Sequence, residues 1–258
     1  MKKVTVRAPV RADLAGGTLD LWPLYLFHPG SRTVNVAISY YAESEIAEIG
    51  DSGVEIHLTD QQYEQRYESL HEMASDPKSA LVHRVLDYFH LTGIRVTTRT
   101  DAPRGSGLGG SSALTVTLVR GLSEFAGNPI EGEELIALVR DLETRLIGVP
   151  AGMQDYYPAV YGGLAAIHLN PGAVVRHEIP LPIERLTEHM LLHYTGVAHF
   201  SGTNNWGCTS GRSMESERCT RASPRSCRAQ SRWRRRSSMP ILRQPAPRWR
   251  MSGRIARR

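Results

Sequence analysis

Cysteine is missing from the first 206 residues: all three, Cys208, Cys219 and Cys227, follow Trp206. Nothing there argues for a disulfide framework. No apolar run approaches the length of a membrane span. Met1-Lys-Lys leads into Val4-Thr-Val-Arg7 with no long apolar stretch, so no signal peptide is expected. These absences predict a soluble, cytoplasmic protein with no membrane partner. No internal repeat is visible, and His28, His57, His83 and His193 lack the spacing of metal ligands. Lysine is absent from residues 207–258, which hold 15 arginines against two acids, Glu215 and Glu217. That segment carries +13 of a total of +5, which leaves −8 on residues 1–206.

The stretch with most chemical content is Asp101-Ala-Pro-Arg-Gly-Ser-Gly-Leu-Gly-Gly-Ser-Ser-Ala113. Its glycines, Gly105, Gly107, Gly109 and Gly110, let backbone N–H groups turn toward a ligand with no Cβ in the way. Leu114, Leu118, Leu122 and Phe125 follow at helical spacing. Ser111 or Ser112 is expected to cap that helix. A helix N-terminus behind a glycine loop is a site for phosphate. The Walker A loop is excluded because no lysine is present. Gly105-x-Gly107-x-x-Gly110 satisfies the letters of the dinucleotide fingerprint, but the context does not suit it. The preceding Ile94-Arg-Val-Thr-Thr-Arg-Thr100 alternates rather than running apolar. The following acids Glu131, Glu133 and Glu134 sit at a helix start, not at a strand end.

Around this loop the pattern predicts a strand at Val4–Pro9 entering a loop over residues 11–20, then strands within 32–49 and at 53–59. Residues 61–73 read as helix or loop. A helix is expected around Leu81 to Phe89, then a strand over 94–100 and helices over 112–126 and 131–147. Further strands are expected at 163–169 and 189–195. Tyr156, Tyr157 and Tyr161 read as packing residues, and Gly162-Gly163 as a turn. The mixed order of elements predicts an α+β fold rather than a doubly wound sheet.

After Trp206 serine, arginine, proline and tryptophan dominate without a hydrophobic period. One reading is a basic, disordered arm that binds nucleic acid non-specifically. The preferred reading is an out-of-frame translation, because arginine is used without lysine and the change is abrupt. Residues 207–258 are then expected to add no native structure.

Three ordered motifs resemble those of the GHMP small-molecule kinases. They are Ala8-Pro-Val-Arg11 with Gly16-Gly17 and Asp20, then Pro103 to Ala113, then Glu143 with Gly148-Val-Pro-Ala-Gly-Met-Gln-Asp155. Gly-Gly-Thr-x-Asp20, Gln154-Asp155 and His199-x-Ser201-Gly more narrowly resemble the heptose 7-phosphate kinase and fucokinase branch. The resemblance spans about residues 4–206. It implies an N-terminal ATP-binding domain of the ribosomal protein S5 domain 2-like type over 1–160. It also implies the start of an incomplete ferredoxin-like C-terminal domain over 161–206. It further implies an ATP- and Mg²⁺-dependent kinase for a hydroxyl on a sugar or sugar phosphate, and it allows a homodimer. The alternatives are a galactokinase- or fucokinase-like enzyme for a free sugar, an inactive truncated kinase, and a nucleic-acid-binding protein acting through the tail.

Phosphoryl transfer needs cradled phosphates, a cation and an oriented hydroxyl. Pro103, Gly105, Ser106, Gly107, Leu108, Gly109, Gly110, Ser111 and Ser112 are the expected nucleotide loop. Ser112 (or Ser111) and Glu143 are the expected Mg²⁺ ligands, since that ion takes oxygen donors. By the resemblance, Asp155 orients or deprotonates the acceptor hydroxyl. Arg11 steadies it with a planar fork. Asp20, Gly17 and Gln154 are expected to contact the acceptor; His199, Ser201, Thr203 and Asn204 read either as a polar wall of the same site or as a capped loop, and Arg32 is the one basic candidate for an acceptor phosphate. The family's third glycine-rich motif has no counterpart in 207–258, which predicts weak or absent activity for the 258-residue chain.

Overall fold

The computed structural model describes residues 2–198. His199, Ser201, Thr203, Asn204 and the arginine-rich stretch lie outside the described residues.

A 17-residue strand organises the sheet. β1 (Lys3–Ala15) runs antiparallel to β2 (Arg32–Glu48) along nearly its whole length. Beyond them come β3 (Val54–Leu58), β4 (Tyr63–Tyr67), the short helix α1 (Leu70–Met73), α2 (Ala80–Phe89) and β5 (Ile94–Thr100). β3 and β5 pair in parallel with α2 between them, while β4 closes a hairpin on β3. α3 (Gly110–Ala126) and α4 (Gly132–Ile147) follow, then α5 (Tyr156–Tyr161), β6 (Leu164–Asn170), β7 (Ala173–Glu178) and α6 (Ile183–Thr187). The sheet has seven strands, in the order β4-β3-β5-β2-β6-β7 with β1 on β2.

β2 serves two neighbours on one side. Its C-terminal half pairs with β5 and its N-terminal half with β6. Between those halves the β1–β2 register shifts: Pro9 faces Tyr41, yet Val10 faces Ile38. Such an irregularity bends and twists a strand pair locally. The glycine loop departs at this bend, where the Asp101 N–H donates to the Tyr41 carbonyl at 2.8 Å and the Tyr41 N–H donates to Asp101 Oδ2 at 3.1 Å.

α3 lies on the sheet with Gly121 against Ile46 and Val6, and it buries Leu118, Val119 and Leu122 fully. Each such side chain contributes about 1.5–3 kcal/mol. α4 packs on α3 through Leu135, Ile136 and Val139. The α+β expectation agrees with this mixed architecture. The division drawn at residue 160 passes through the sheet, because β6 is hydrogen-bonded to β2.

Several local expectations need correction. The segment from Arg11 is not yet a loop, because β1 continues to Ala15 along the free edge of β2. Residues 61–73 hold the expected helix only at their end, as α1, and otherwise contain β4, whose hairpin partner β3 gives a polar sequence a ladder to join. Residues 189–195 form no strand. Leu191, Leu192 and Tyr194 stand exposed there, and the outermost position beside β6 is filled by β7, which pattern reading missed. Neither Ser111 nor Ser112 caps α3. The N-cap is Gly109 in the left-handed conformation, with no side-chain cap at all.

Candidate active site

The loop before α3 carries three left-handed glycines at alternate positions, Gly105, Gly107 and Gly109, with φ of 71°, 74° and 71°. An L side chain in that conformation costs about 1–2 kcal/mol. Gly109 is constrained by its neighbours as well. A Cβ there would lie 3.2 Å from both Cγ and Oδ2 of Asp155 and 3.5 Å from Cγ of Arg11. The first-turn N–H groups of α3 have no intrahelical acceptor, and no side chain occupies them.

Arg11 ties this loop to α5. Its main-chain N–H donates to the Leu108 carbonyl at 3.0 Å, and Nη1 donates to the Gly107 carbonyl at 2.5 Å. Nε and Nη2 both reach Asp155 Oδ1, at 2.8 and 2.7 Å. Oδ2 of Asp155 is left beside Gly109. Burial lowers the guanidinium pKa, but the charge and hydrogen bond of Asp155, with Asp13 and Asp20 behind it, outweigh burial and raise it. These partners are 144 residues apart in the sequence, so only the fold brings them together.

Glu143 sits on α4 and is buried, not the exposed helix carboxylate that its position alone would suggest. The Ser112 hydroxyl donates to it, 2.9 Å from Oε2 and 3.2 Å from Oε1. The Tyr156 hydroxyl donates to Oε2 at 2.8 Å. Burial raises the Glu143 pKa, although the Tyr156 and Ser112 hydrogen bonds oppose that shift. Ser112 is buried with the two close contacts to the carboxylate, while Ser111 is exposed and acts on it more weakly. Among the described residues no group of three or more His, Cys, Asp or Glu side chains gathers as a metal cage. A hydroxyl and one carboxylate suit a hard cation carried mainly by phosphate and water oxygens.

On the acceptor side the structure departs from expectation. Asp20 is fully buried, and its Oδ2 accepts the main-chain N–H of Gln154 at 3.0 Å. Gly152 backs directly onto it: a Cβ there would lie 2.2 Å from Oδ2. On the other side of the same residue, Asn35 Nδ2 donates to the Gln154 carbonyl at 3.3 Å. The peptide before Asp155 is therefore held from both ends by buried polar groups. Gln154 Oε1 and Asn35 Oδ1 are buried without a partner. Asp13, at the end of β1, contacts the Gln154 side chain and lies against Gly17. Arg32 is exposed on β2, and its carbonyl abuts Gly16. Gly162-Gly163 makes the turn into β6, with Gly163 accepting from the Ala37 N–H.

Burial pushes the Asp20 carboxyl up to about 6; the Gln154 N–H opposes this, and the charge of Asp155 adds to it. A folded-state value above the unfolded one of about 3.9 means a stability contribution present at low pH and lost as pH rises through about 6. Measured by denaturation, the stability of the wild type relative to Asp20→Asn is expected to fall by about 2 kcal/mol between pH 4.5 and 7.5. A flat difference over that range would show that Asp20 ionises freely in the fold.

Residues that pattern reading passed over are Tyr156, Asn35, Asp13 and Gly152. Tyr156 adjoins Asp155, and Asn35 interrupts the apolar alternation of β2. Those were the only local signals.

Residues 78–163 match the family described as GHMP kinases N terminal domain. The chain is 30% identical over 169 residues to the D-glycero-alpha-D-manno-heptose 7-phosphate kinase of Campylobacter jejuni, covering 63% of this chain and 50% of that one. It is 29% identical over 216 residues to the bifunctional fucokinase/GDP-fucose pyrophosphorylase of Arabidopsis thaliana, covering 76% of this chain and 20% of that one. A solved D-glycero-D-manno-heptose 1-phosphate kinase from Bacteriodes thetaiotaomicron superposes with a TM-score of 0.65 at 28% identity, over 73% of this chain and 63% of that one. The chain thus spans half the length of the first relative and a fifth of the second. No helix among the described residues is long and apolar enough to cross a membrane.

Proposed function

We propose, from the premise that this chain carries a GHMP kinase N-terminal domain, that it is a cytoplasmic kinase transferring a phosphoryl group from ATP to a hydroxyl of a sugar or sugar phosphate. Heptose phosphates are the first acceptors to try, because two of the relatives above are named for them. The observation that carries the reading is the contact of Arg11 with both Asp155 and the glycine loop.

ATP supplies the phosphoryl group, and a divalent cation screens its charge. The left-handed glycines and the uncapped start of α3 fit a phosphate chain, and Ser112 with Glu143 fits the cation. Backbone N–H groups from Gly107 to Ser112 hold the phosphates against water, the Ser106 N–H being given to the Pro103 carbonyl. Arg11 occupies Oδ1 of Asp155, so Oδ2 is the atom that accepts the proton of the acceptor hydroxyl as its oxygen bonds to the γ-phosphorus and the bond from that phosphorus to the bridging oxygen breaks, releasing ADP. The Arg11 guanidinium stands beside that event and offsets the charge that develops. The Asp20 and Asn35 contacts on either side of Gln154 fix where Asp155 points. In this account Asp20 holds the main chain rather than a sugar hydroxyl. Asp13, beside Gly17 and in contact with the Gln154 side chain, is then the polar group nearest the acceptor.

The test is direct. ATP with Mg²⁺ should bind the chain in a calorimetric titration. A panel of heptose phosphates, fucose and galactose with labelled ATP should yield one preferred phosphorylated product. Absence of nucleotide binding would sink the proposal. Binding with preferred transfer to a free sugar would move it to the fucokinase- or galactokinase-like alternative.

A further inference from the structure

We infer that Tyr156 is a positioning residue for Glu143, deciding which carboxylate oxygen is left to take the cation and tying that oxygen to the residue beside Asp155. The inference rests on the kinase reading given above.

Tyr156 follows Asp155 directly and opens α5. Its ring is among the largest fully buried side chains of the protein. The phenol crosses to α4 and donates to Glu143 Oε2 at 2.8 Å, the same oxygen that Ser112 Oγ approaches at 2.9 Å. Oε1 has the longer Ser112 contact at 3.2 Å, and the Ser111 hydroxyl also acts on this carboxylate. Oε2 carries the two shorter donors, and the Tyr156 hydrogen bond still occupies it when Ser112 turns away, so Oε1 is the oxygen with more room for another partner. A Ser112 hydroxyl that turns its lone pair toward a cation can rotate its proton away, whereas the Tyr156 O–H lies in the ring plane and is held by packing. Tyr156 is therefore the donor that stays, keeping Glu143 oriented while Ser112 changes its role.

The neighbouring tyrosines provide a built-in comparison. Tyr157 donates to Glu133 Oε2 at 3.0 Å and Tyr161 to Glu133 Oε1 at 3.1 Å. α5 is thus pinned to α4 at two levels by the same chemistry. Only the level of Tyr156 also reaches Ser112 at the start of α3. A general packing role would belong to all three tyrosines, and a role in cation placement to Tyr156 alone.

The experiment measures ATP affinity for the full chain with Mg²⁺ and with Mg²⁺ chelated, in the wild type, Tyr156→Phe and Tyr157→Phe. Tyr156→Phe is expected to lose about tenfold of the affinity gain that Mg²⁺ confers, the scale of one hydrogen bond to a charged group. Its Mg²⁺-free affinity should be unchanged, and Tyr157→Phe should match the wild type in both conditions. A Tyr156→Phe protein that keeps the full Mg²⁺ gain overturns the inference. So does one whose affinity falls equally with and without Mg²⁺. Should Tyr156→Phe fail to fold, 3-fluorotyrosine at position 156 of the otherwise unaltered chain answers the same question. Its ¹⁹F resonance is expected to move when Mg²⁺ is added to the ATP-bound protein and to stay fixed when ATP is added alone. A resonance indifferent to Mg²⁺ overturns the inference. A wild-type chain that binds no ATP removes the kinase reading and this inference with it. ATP binding with a Mg²⁺ gain that Tyr156→Phe leaves intact removes the inference alone.

Discussion

Asp155→Asn is expected to lower phosphoryl transfer by about 10²–10⁴-fold, the range spanned when a positioned proton acceptor is removed. Asparagine is nearly isosteric, so the close fit of position 155 against Gly109 survives. Its carbonyl oxygen can still accept from Arg11 in place of Oδ1. What disappears is the second oxygen as a proton acceptor, because an amide nitrogen donates. The loss should fall on kcat, with ATP affinity within about threefold of wild type, as for an interaction made in the transition state. Transfer rates and a nucleotide titration on one preparation check both halves. A variant retaining a tenth or more of the wild-type rate would mean that a group other than Asp155 takes the proton.

Arg11→Ala is expected to act more broadly. Arg11 is 90% buried along its side chain and Asp155 about three-quarters buried. It is also the guanidinium that Asp13, Asp20 and Asp155 act on together. Removing it leaves those carboxylates, with Glu143 close enough to feel Asp155, as uncompensated negative charge under partial burial. Breaking one partner of a buried pair costs about 3–5 kcal/mol, and the partial exposure of Asp155 argues for the lower end. The Gly107 carbonyl loses its donor in the same step, so the phosphate loop should loosen and ATP affinity should drop as well. Arg11→Lys keeps the charge but not the planar fork that spans Asp155 and Gly107 at once. It should recover part of the stability and little of the ATP affinity. Urea denaturation and ATP titration of the two variants are the measurements. An Arg11→Ala protein within about 0.5 kcal/mol of wild type, the range of an ordinary surface change, would show that the ion pair holds nothing together.

Much of the fold could be read along the chain because its signals are local. Leu114, Leu118, Leu122 and Phe125 keep helical spacing, and the four glycines before them mark a tight loop without any tertiary contact. The α4 pattern around Leu135, Leu138, Val139 and Leu142 is just as local. β4 and β7 were not legible in this way, because both are short strands whose identity depends on a neighbour to pair with. The α3 cap was misjudged for a related reason. Serine at a helix start is a good local rule, but Ser112 spends its hydroxyl on Glu143 from another helix.

The site divides along the same line. Composition and motif order singled out the residues on which the proposed phosphoryl transfer rests: the loop from Gly105 to Ser112, Glu143, Asp155 and Arg11. The tertiary structure alone decided that Arg11 uses one oxygen of Asp155 and leaves the other. It also turned Asp20 inward onto the Gln154 main chain and laid Tyr156 on Glu143. Spacing along a chain reports periodicity over a few residues, whereas these contacts join positions 13 to 144 residues apart. Their partners are selected by burial, where an unpaired polar group is costly and every donor must find an acceptor.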